Sequence, residues 1–411
     1  MSIVIIGNSA AGLSALETFR KYDKKTKITL ISKEGDVAYS RVLLPYVLRG
    51  KLKYNNLFIR DKEYYEKNNV DYIEKEVKNI DTEAKVVILS DDTKVEYSKL
   101  LIATGSNAVK PPIPGINEDG IYNMWTKSDV DNLAPLFDSK KKVAVIGSGF
   151  VALQAAWAAV VRGLEVTVIE LADRVMPSVL DEKGAEILTE KIRKSGVDLK
   201  TSTLTQNIEK LEDGTFKISL KDQDPVHVDF IIVGTGVRPN TQFLSETGIT
   251  IDRGILVDRF METNVKDVYS AGDVAQGPTA FGEEHVIHAL WPTAIEMGKI
   301  AGANMAGKAL EYEGSLNMNV TQMYGTTVAS MGKFSEKDVQ DAYYFDESDG
   351  YGYLKVCYEK DLLVGACLVG STDAVKLFGK LRPIIRKKIK ADVAPEKLEN
   401  FIEIEAFLER I

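Results

Sequence analysis

The chain has 411 residues and is 45% hydrophobic, so we expect roughly two to four domains with a substantial buried core. The formal net charge of −8 argues against nucleic acid as the main partner. No apolar run approaches the roughly 20 residues of a membrane span, and the N-terminus enters a strand without a basic leader region. These features predict a cytoplasmic protein with no membrane partner.

The first predicted element is an apolar strand at residues 2–6, of the kind that parallel sheets bury on both faces. It runs into a turn of small residues that includes Gly7, Ser9 and Gly12, and a helix follows up to Tyr22. Such a turn lets backbone N–H groups approach a pyrophosphate at the N-terminus of the helix, where the helix dipole favours negative charge. The segment is therefore a candidate dinucleotide-binding unit.

The next stretch predicts a helix over residues 57–70 with a Lys/Glu-rich outer face, and then strands at 86–89 and 99–103. The second of these strands ends in Ala103-Thr104-Gly105. A proline-rich segment at 111–115 comes next and is the clearest linker signal in the chain.

A second copy of the strand–turn–helix motif begins at Val143, where an apolar strand runs into a turn with Gly147 and Gly149, followed by Ala152. The strand after its helix ends in Glu170. One such motif is weak evidence of function, but two in one chain suggest two dinucleotides and electron transfer between them.

The rest of the chain contains two more glycine signals, Gly236 and Gly272-Asp273, each just after a predicted strand. A helix predicted at 288–306 carries Trp291 and is rich in alanine, glycine and methionine. The last hundred residues change to Tyr-rich strands and then helices with a basic stretch at 380–390, which predicts a separate small α+β domain. The remaining predicted elements are a helix at 183–196 and strands at 216–220, 229–233, 268–271, 343–358 and 362–369.

Taken together, these motifs resemble the two-dinucleotide flavoprotein family of pyridine-nucleotide:acceptor reductases. The family includes rubredoxin and ferredoxin reductases, the flavin module of nitrite reductase, NADH oxidases and coenzyme A disulfide reductases. The resemblance implies an α/β fold with two Rossmann-like dinucleotide-binding domains, one for FAD and one for NAD, and a small C-terminal α+β domain. The expected boundaries are 1–110 and 236–310 for the two parts of the FAD domain, 111–235 for the NAD(P) domain, and 311–411 for a C-terminal interface domain.

For FAD, the resemblance implies that the first turn binds the pyrophosphate and that Asp273 accepts a hydrogen bond from the ribityl chain. Arg41 is expected along the FAD phosphates or the adenosine, and Trp291 beneath the flavin. Family members usually end the second strand with a glutamate on the ribose, where this chain has Ser32-Lys33-Glu34. The implied FAD-binding residues are Gly7, Ser9, Gly12, Ser32, Lys33, Arg41, Ala103, Thr104, Gly105, Gly272, Asp273 and Trp291.

For the pyridine nucleotide, the resemblance implies that the second turn holds NAD(H). The carboxylate of Glu170 would accept from the ribose 2′-OH and repel a 2′-phosphate, so we expect NADH to be preferred over NADPH. Arg174, four positions on, leaves room for NADPH. The implied NAD-binding residues are Gly147, Gly149, Ala152 and Glu170, and Gly236 is a further candidate for cofactor binding.

The segment from Tyr39 to Leu44 divides the family, because NADH oxidases, peroxidases and coenzyme A disulfide reductases carry a redox cysteine at the place of Val42. A valine forms no thiolate. The two cysteines, Cys357 and Cys367, lie late in the chain without CxxC spacing, and we expect them to be structural. Three histidines are too few for a persuasive metal site, so no metal is predicted.

Two further departures from the family pattern coincide. Ferredoxin-reductase relatives often have lysine at the place of Tyr46 and glutamate at the place of Gln154, by the flavin N5 edge and the nicotinamide. A neutral contact between Tyr46 and Gln154 would replace that ion pair without leaving an unpaired buried charge. The alternative is that the two side chains never meet. These two are the candidate catalytic residues.

We therefore expect an enzyme in which NADH passes hydride to the flavin, which passes electrons to a rubredoxin- or ferredoxin-type carrier or to a partner subunit. The stretch 380–390 either steers an acidic carrier or is a solvated helix face, and a homodimer is possible. The alternatives are an NADH oxidase that uses oxygen and a slow redox-sensing or structural flavoprotein.

Overall fold

The computed structural model of the chain describes residues 2–35, 37–335, 339, 341–347, 352–360 and 362–389. Its α-helices are α1 Ala10–Tyr22, α2 Leu44–Leu48, α3 Lys62–Lys67, α4 Lys127–Ser139, α5 Phe150–Val161, α6 Glu182–Lys194, α7 Trp291–Met305 and α8 Thr372–Arg386. Its strands are β1 Ser2–Ile6, β2 Lys27–Ser32, β3 Val70–Glu74, β4 Val77–Asp81, β5 Val86–Leu89, β6 Lys94–Glu96, β7 Lys99–Ile102, β8 Ser106–Ala108, β9 Ile121–Tyr122, β10 Lys142–Ile146, β11 Glu165–Ile169, β12 Asp198–Lys200, β13 Thr205–Lys210, β14 Phe216–Leu220, β15 Gln223–Val228, β16 Phe230–Val233, β17 Val237–Pro239, β18 Ile255–Leu256, β19 Val268–Ser270, β20 Ala275–Thr279, β21 Gly282–Val286, β22 Met318–Met323, β23 Thr326–Gly332, β24 Asp341–Glu347, β25 Gly352–Glu359 and β26 Leu362–Gly370.

The chain divides into two compact units, each built from several segments. Unit 1 comprises Met1–Leu43, Leu52–Asn107 and Val237–Leu316. Unit 2 comprises Leu44–Lys51, Ala108–Gly236 and Asn317–Ile411.

Unit 1 is organised around a five-stranded sheet in the order β19-β7-β1-β2-β3, in which every pairing is parallel. Its central strand β1 is an uninterrupted apolar run, and Ile3 to Ile6 are buried, as expected for a strand covered on both faces. Because β1 and β7 are parallel neighbours, the turns that follow them meet at the same edge of the sheet.

Helices α1 and α7 pack against each other through small residues in unit 1. A β-carbon added at Gly298 would lie 2.3 Å from the carbonyl oxygen of Ala11, and one at Gly302 would lie 2.2 Å from that of Ala15. The alanine- and glycine-rich composition of the predicted helix at 288–306 is therefore explained by close contact with the α1 backbone, whatever else the helix binds.

Unit 2 repeats the arrangement with a parallel sheet in the order β12-β11-β10-β16-β9. Helix α5 follows β10, and its alanines 152, 155, 156, 158 and 159 are all buried. A five-stranded antiparallel sheet in the order β22-β23-β26-β25-β24 also belongs to unit 2, and α8 contacts its strands β23 and β26.

The predicted α/β fold with two Rossmann-like sheets is confirmed, and the C-terminal sheet and helix have the predicted α+β character. The predicted helix over residues 57–70 is wrong: only Lys62–Lys67 is helical there, and Val70 begins a strand. Strand β3 pairs in parallel with β2, a partner about 40 residues earlier, which outweighs the local helix preference. The basic stretch begins on α8 and ends at Lys390, outside the described residues.

Candidate dinucleotide-binding sites

The turn after β1 in unit 1 brings the predicted Gly7, Ser9 and Gly12 to the carboxyl edge of the sheet. Gly7 has a φ of +113°, and a β-carbon there would lie 2.1 Å from the carbonyl oxygen of Ala103. Only glycine fits this position, because the turn is pressed against the loop that follows β7. Ser9 is the N-cap of α1, but its side chain makes no capping hydrogen bond. The α1 N-terminus therefore has the small-residue entry that a pyrophosphate requires.

The predicted loop Ala103-Thr104-Gly105 is held by Asn240, a residue that the sequence analysis missed. The side-chain amide of Asn240 donates to the Thr104 carbonyl oxygen over 2.9 Å, and the Thr104 hydroxyl donates to the Asn240 carbonyl oxygen over 3.0 Å. The Asn240 backbone N–H also donates to the Gly105 carbonyl oxygen over 3.0 Å. The Pro-Asn pair at the end of β17 was an available turn signal, but the loop that Asn240 holds could not be predicted from it.

Asp273 follows β19, and its carboxylate accepts a hydrogen bond of 2.9 Å from the Ser106 hydroxyl. Burial raises the pKa of Asp273, while the Ser106 hydrogen bond and the positive charge of Arg41 act in the opposite direction. The neighbouring Gly272 lies against α1, where an added β-carbon would be 3.0 Å from that of Ala11. The two predicted motifs around Gly105 and Gly272 thus meet through Ser106, which the sequence analysis did not select.

Arg41 forms an ion pair with Glu34, and the Tyr39 hydroxyl donates to the second oxygen of the same carboxylate. The Arg41 guanidinium also lies 5.4 Å from the centroid of the Tyr39 ring. Glu34 lies two residues beyond the end of β2, where the family usually has a glutamate at the strand end itself. The structure makes it the carboxylate after β2 that is fixed by neighbouring side chains.

The two residues predicted at that strand end, Ser32 and Lys33, have other neighbours. Ser32 hydrogen-bonds to Tyr72 on β3, and the Lys33 ammonium lies 3.6 Å from the carboxylate of Glu76, with both charged side chains largely exposed. Their assignment to FAD stays a prediction.

The turn after β10 in unit 2 repeats the geometry of the first turn. Gly147 has a φ of +103°, and a β-carbon there would lie 2.5 Å from the Gly234 carbonyl oxygen. Gly149 is the N-cap of α5, and Ala152 is fully buried against Gly234, where a larger side chain would force the helix off the sheet. Gly236, with a φ of +119°, follows β16, and its carbonyl oxygen accepts from the Val109 N–H over 3.0 Å.

Glu170 directly follows β11, as predicted, and both of its carboxylate oxygens accept hydrogen bonds. The Ser148 hydroxyl donates to Oε2 over 2.6 Å, and the Ala172 N–H donates to Oε1 over 2.7 Å. Each oxygen retains a further lone pair, so the group can still accept from a ribose diol. Arg174 is paired with Asp173 at 3.0 Å.

The candidate catalytic residues Tyr46 and Gln154 both lie in unit 2, and no hydrogen bond joins them within the described ranges. The amide nitrogen of Gln154 donates to the Thr321 hydroxyl over 2.7 Å and to the Gln322 carbonyl oxygen over 3.0 Å. Its Oε1 is buried without a hydrogen-bond partner among the described residues.

Tyr46 instead contacts Arg49, another residue that the sequence analysis missed. The Arg49 guanidinium lies 4.2 Å from the centroid of the Tyr46 ring and 4.0 Å from that of Trp157 on α5. Arg49 is only 4% exposed, and burial lowers its pKa although Tyr46 counters the effect. A buried cation therefore lies against the ring of Tyr46, three positions further along the chain.

Trp291 is the first residue of α7 and packs, partly buried, against the hydrophobic core of unit 1. Near it, the Nδ1 atom of His288 lies 2.7 Å from the Ser315 hydroxyl, and burial lowers the pKa of His288 to about 4. A neutral imidazole is therefore the form present near neutral pH.

Comparison with known proteins identifies the family. The profile described as pyridine nucleotide-disulphide oxidoreductase matches residues 1–298. The chain belongs to this family. It is 31% identical over 385 residues to the NAD(P)H nitrite reductase of Bacillus subtilis, covering 92% of this chain but only 47%, about half, of that relative.

Two further relatives of the family match over nearly the whole chain. The NADH-rubredoxin oxidoreductase of Clostridium acetobutylicum is 27% identical over 410 residues, covering 100% of this chain and 99% of that protein. The solved structure of a NAD-dependent persulfide reductase from A. fulgidus has a TM-score of 0.91 at 27% identity, covering 100% of this chain and 83% of that one.

The chain is thus an NAD(P)H-dependent flavin oxidoreductase, and its residues fit both a flavin and a pyridine nucleotide. In unit 1, the glycine turn and buried Asp273 suit a flavin dinucleotide; in unit 2, the second glycine turn and Glu170 suit a pyridine nucleotide. Within the described part of the chain, no three His, Cys, Asp or Glu side chains come together as ligands for a metal ion. Among the helices of the described ranges, none is long and apolar enough to cross a membrane.

Proposed function

We propose that the chain binds FAD in unit 1 and NADH in unit 2, and that it reduces a protein carrier of the rubredoxin or ferredoxin type, or a partner oxidoreductase subunit, without a redox-active cysteine. The bound flavin would accept a hydride from NADH and release electrons in pairs or singly. The side chains of this protein then have to bind the two nucleotides, orient them and exclude water.

The observation that carries the proposal is the lack of an available thiol. Val42 lies in a 3₁₀ turn, Arg41–Leu43, and is 54% exposed. By the family resemblance, this is the position of the redox cysteine in the thiol-using branch. Cys357 and Cys367 are both 0% exposed, on β25 and β26. Burial raises the pKa of the Cys367 thiol well above its usual range, so its reactive thiolate form is disfavoured. An acceptor that takes electrons without bonding to a cysteine suits these residues.

The side chains near each proposed nucleotide support the assignment. Asn240 and Ser106 fix the loop and the carboxylate proposed to hold FAD. In unit 2, the unpartnered Oε1 of Gln154 is a buried acceptor that the amide N–H of a nicotinamide would satisfy. We keep Gln154 and Tyr46 as the proposed residues at the nicotinamide.

The end of α8 offers a surface for the carrier. Lys387 and Lys388 are exposed, whereas Leu381 and Ile385 on the same segment are buried. These lysines would attract an acidic carrier, and opposite charge raises the rate of encounter more than the affinity. The full-length relative named for rubredoxin adds to this choice of acceptor.

The test is NADH-dependent turnover with rubredoxin, ferredoxin, coenzyme A disulfide, a persulfide and oxygen as separate acceptors. We expect turnover with a carrier to be fastest and to fall with ionic strength, since the Debye length shrinks to about 8 Å at physiological salt. Lys387→Gln/Lys388→Gln should lower the carrier rate, and the matched pair Lys191→Gln/Lys194→Gln on α6 should not. Turnover with a disulfide or persulfide and with no carrier would overturn the proposal, as would turnover with oxygen alone.

A further inference from the structure

Ser148 lies between the two glycines of the second turn and is 1% exposed. Serine near a helix start commonly caps the helix with its side chain. Here Gly149 is the N-cap of α5, and the Ser148 hydroxyl points elsewhere: it donates to Glu170 Oε2 over 2.6 Å. The Ser148 hydroxyl therefore bonds to the carboxylate after β11 instead of capping α5.

The Glu170 carboxylate is held from two sides. Ser148 occupies one oxygen, and the Ala172 N–H occupies the other over 2.7 Å. Two donors on different oxygens fix the plane of the carboxylate as well as its position. The one donor that comes from the turn itself is Ser148, so it sets the direction of the carboxylate relative to that turn.

The backbone on both sides of this contact is also tied down. The Met176 N–H donates to the Ser148 carbonyl oxygen over 3.2 Å, and the Ser202 N–H donates to the Ala172 carbonyl oxygen over 2.8 Å. The loop after β11 is therefore fastened to the turn and to the loop after β12. Glu170 cannot be displaced easily by a shift of its own loop.

The first turn uses the equivalent position differently. Asn8 follows Gly7 as Ser148 follows Gly147, but its Oδ1 accepts from the Tyr65 hydroxyl over 3.0 Å. Strand β2 ends in Ser32, so there is no carboxylate at the place of Glu170. The serine–glutamate pair is a property of the second turn alone within these two motifs.

We propose that Ser148 is a positioning residue for nucleotide selectivity: it holds the Glu170 carboxylate so that a ribose 2′,3′-diol is accepted and a 2′-phosphate is rejected. The inference rests on the proposed use of NADH and adds the residue that enforces it. A freely rotating glutamate can turn into solvent and make room for a phosphate, whereas a held carboxylate opposes the phosphate charge at short range. A ribose diol is not repelled, because each carboxylate oxygen has a lone pair left to accept a hydrogen bond from a hydroxyl group.

The experiment measures binding of ADP-ribose and of 2′-phospho-ADP-ribose to the oxidised holoenzyme by calorimetry, since these probes report on the ribose without any hydride transfer. Wild type should prefer ADP-ribose. Ser148→Ala and Ser148→Gly should each lower the ratio of the two affinities by about tenfold, the size of one hydrogen bond to a charged group. Thr203→Ala, which removes a buried hydroxyl that bonds to Thr201 and Gln223, is the matched control and should leave the ratio unchanged.

A thermodynamic cycle separates positioning from a general loss of structure. If Ser148 acts through Glu170, then Ser148→Ala should have no effect on the ratio in a Glu170→Ala background. Two outcomes would overturn the inference but leave the proposed function standing. One is an unchanged affinity ratio in both Ser148→Ala and Ser148→Gly. The other is a Ser148→Ala effect on the ratio that is as large in the Glu170→Ala background as in wild type. Equal affinity of wild type for the two probes overturns the proposed NADH preference itself.

Discussion

The hydroxyl of Ser106 donates a hydrogen bond of 2.9 Å to the carboxylate of Asp273, although 167 residues separate them in the chain. Each follows a parallel strand of the same sheet, Ser106 after β7 and Asp273 after β19. Because β7 and β19 are neighbours, their carboxyl ends meet. The buried carboxyl group of Asp273, whose pKa is raised by burial, is therefore held at the same edge of the sheet as the first glycine turn.

The first prediction concerns this acid. Wild type should purify yellow with one non-covalent FAD, and Asp273→Ala should lose most of it, because the proposed acceptor for the ribityl chain is gone. Ser106→Ala keeps the carboxylate and should weaken FAD binding only about three- to tenfold, the effect of one hydrogen bond. Flavin content and the Kd for FAD from fluorescence quenching check this. Asp71→Ala, an exposed acid on β3, is the control, and a colourless wild type that takes up no FAD would contradict the assignment.

The second prediction is that no thiol takes part in turnover. A Cys357→Ala/Cys367→Ala double variant should keep NADH:dye reductase activity, because both sulfurs are buried in the C-terminal sheet. Its Tm should fall, since the Cys367 thiol lies 3.5 Å from Asp181 Oδ1 in a packed core. Flavin reduction by NADH in stopped flow is the measurement. Its loss in a variant that is folded and retains FAD would show that a thiol is needed.

The third prediction concerns Glu170. Wild type should use NADH with a higher kcat/KM than NADPH, and Glu170→Ala should lose roughly 1.5–3 kcal/mol of that preference, the range for a hydrogen bond to a charged group. Glu165→Ala is the matched control, because Glu165 begins the same strand and its exposed side chain pairs with Lys142 at 3.4 Å. Equal efficiency with both nucleotides in wild type would refute the prediction.

The fourth prediction is a pH dependence of stability from His288. Burial lowers its pKa to about 4 from an ordinary 6.5, so between these values the unfolded chain binds a proton that the folded chain does not. The free energy of unfolding should therefore fall as the pH drops from 6.5 towards 4, by at most about 3 kcal/mol from this group.

Urea unfolding of wild type and His288→Gln at pH 7.5 and pH 5 checks the fourth prediction. The variant should lose less stability on acidification than wild type. His227→Gln, an exposed histidine in unit 2, should behave like wild type. A His288→Gln variant as acid-sensitive as wild type would remove His288 as the cause.

Elements with local signals were predictable from the sequence. The helix from Ala10 to Tyr22 was predicted at its observed bounds, because a small-residue turn and an apolar run mark where it starts. Residues 57–70 also contain a helix start, because the side chain of Asp61 caps α3, but that helix ends at Lys67 and no local signal marks the strand that follows. The segment Val70–Glu74 does not alternate regularly between apolar and polar residues, and its pairing with β2 makes it a strand.

The site residues also divide into those with a local sequence signal and those that depend on distant partners. Glu170 was found because its position after a strand is visible in the sequence. Asn240 and Ser106 were missed because their partners, Thr104 and Asp273, lie far away in the chain. Arg49 contacts the nearby Tyr46, but its burial also depends on the distant Trp157. No local pattern distinguishes Ser106 and Arg49 from ordinary polar residues, and the turn signal of Pro239-Asn240 does not reveal that Thr104 is the partner of Asn240.

The packing of α1 against α7 has a consequence for synthesis on the ribosome. Helix α1 is complete when residue 22 has been made, but the glycines that cover it, Gly298 and Gly302, come nearly 280 residues later. A nascent chain that stops before β19 would present one apolar face of α1 and one open edge of β7 to its surroundings. All strands of the parallel sheet of unit 2 lie within residues 121–233. This sheet can therefore form before β19, the last strand of the first sheet, has been synthesised. Strands β1, β2, β3 and β7 of the first sheet, all made within the first 102 residues, are therefore expected to depend on chaperone protection until β19 and α7 have been made.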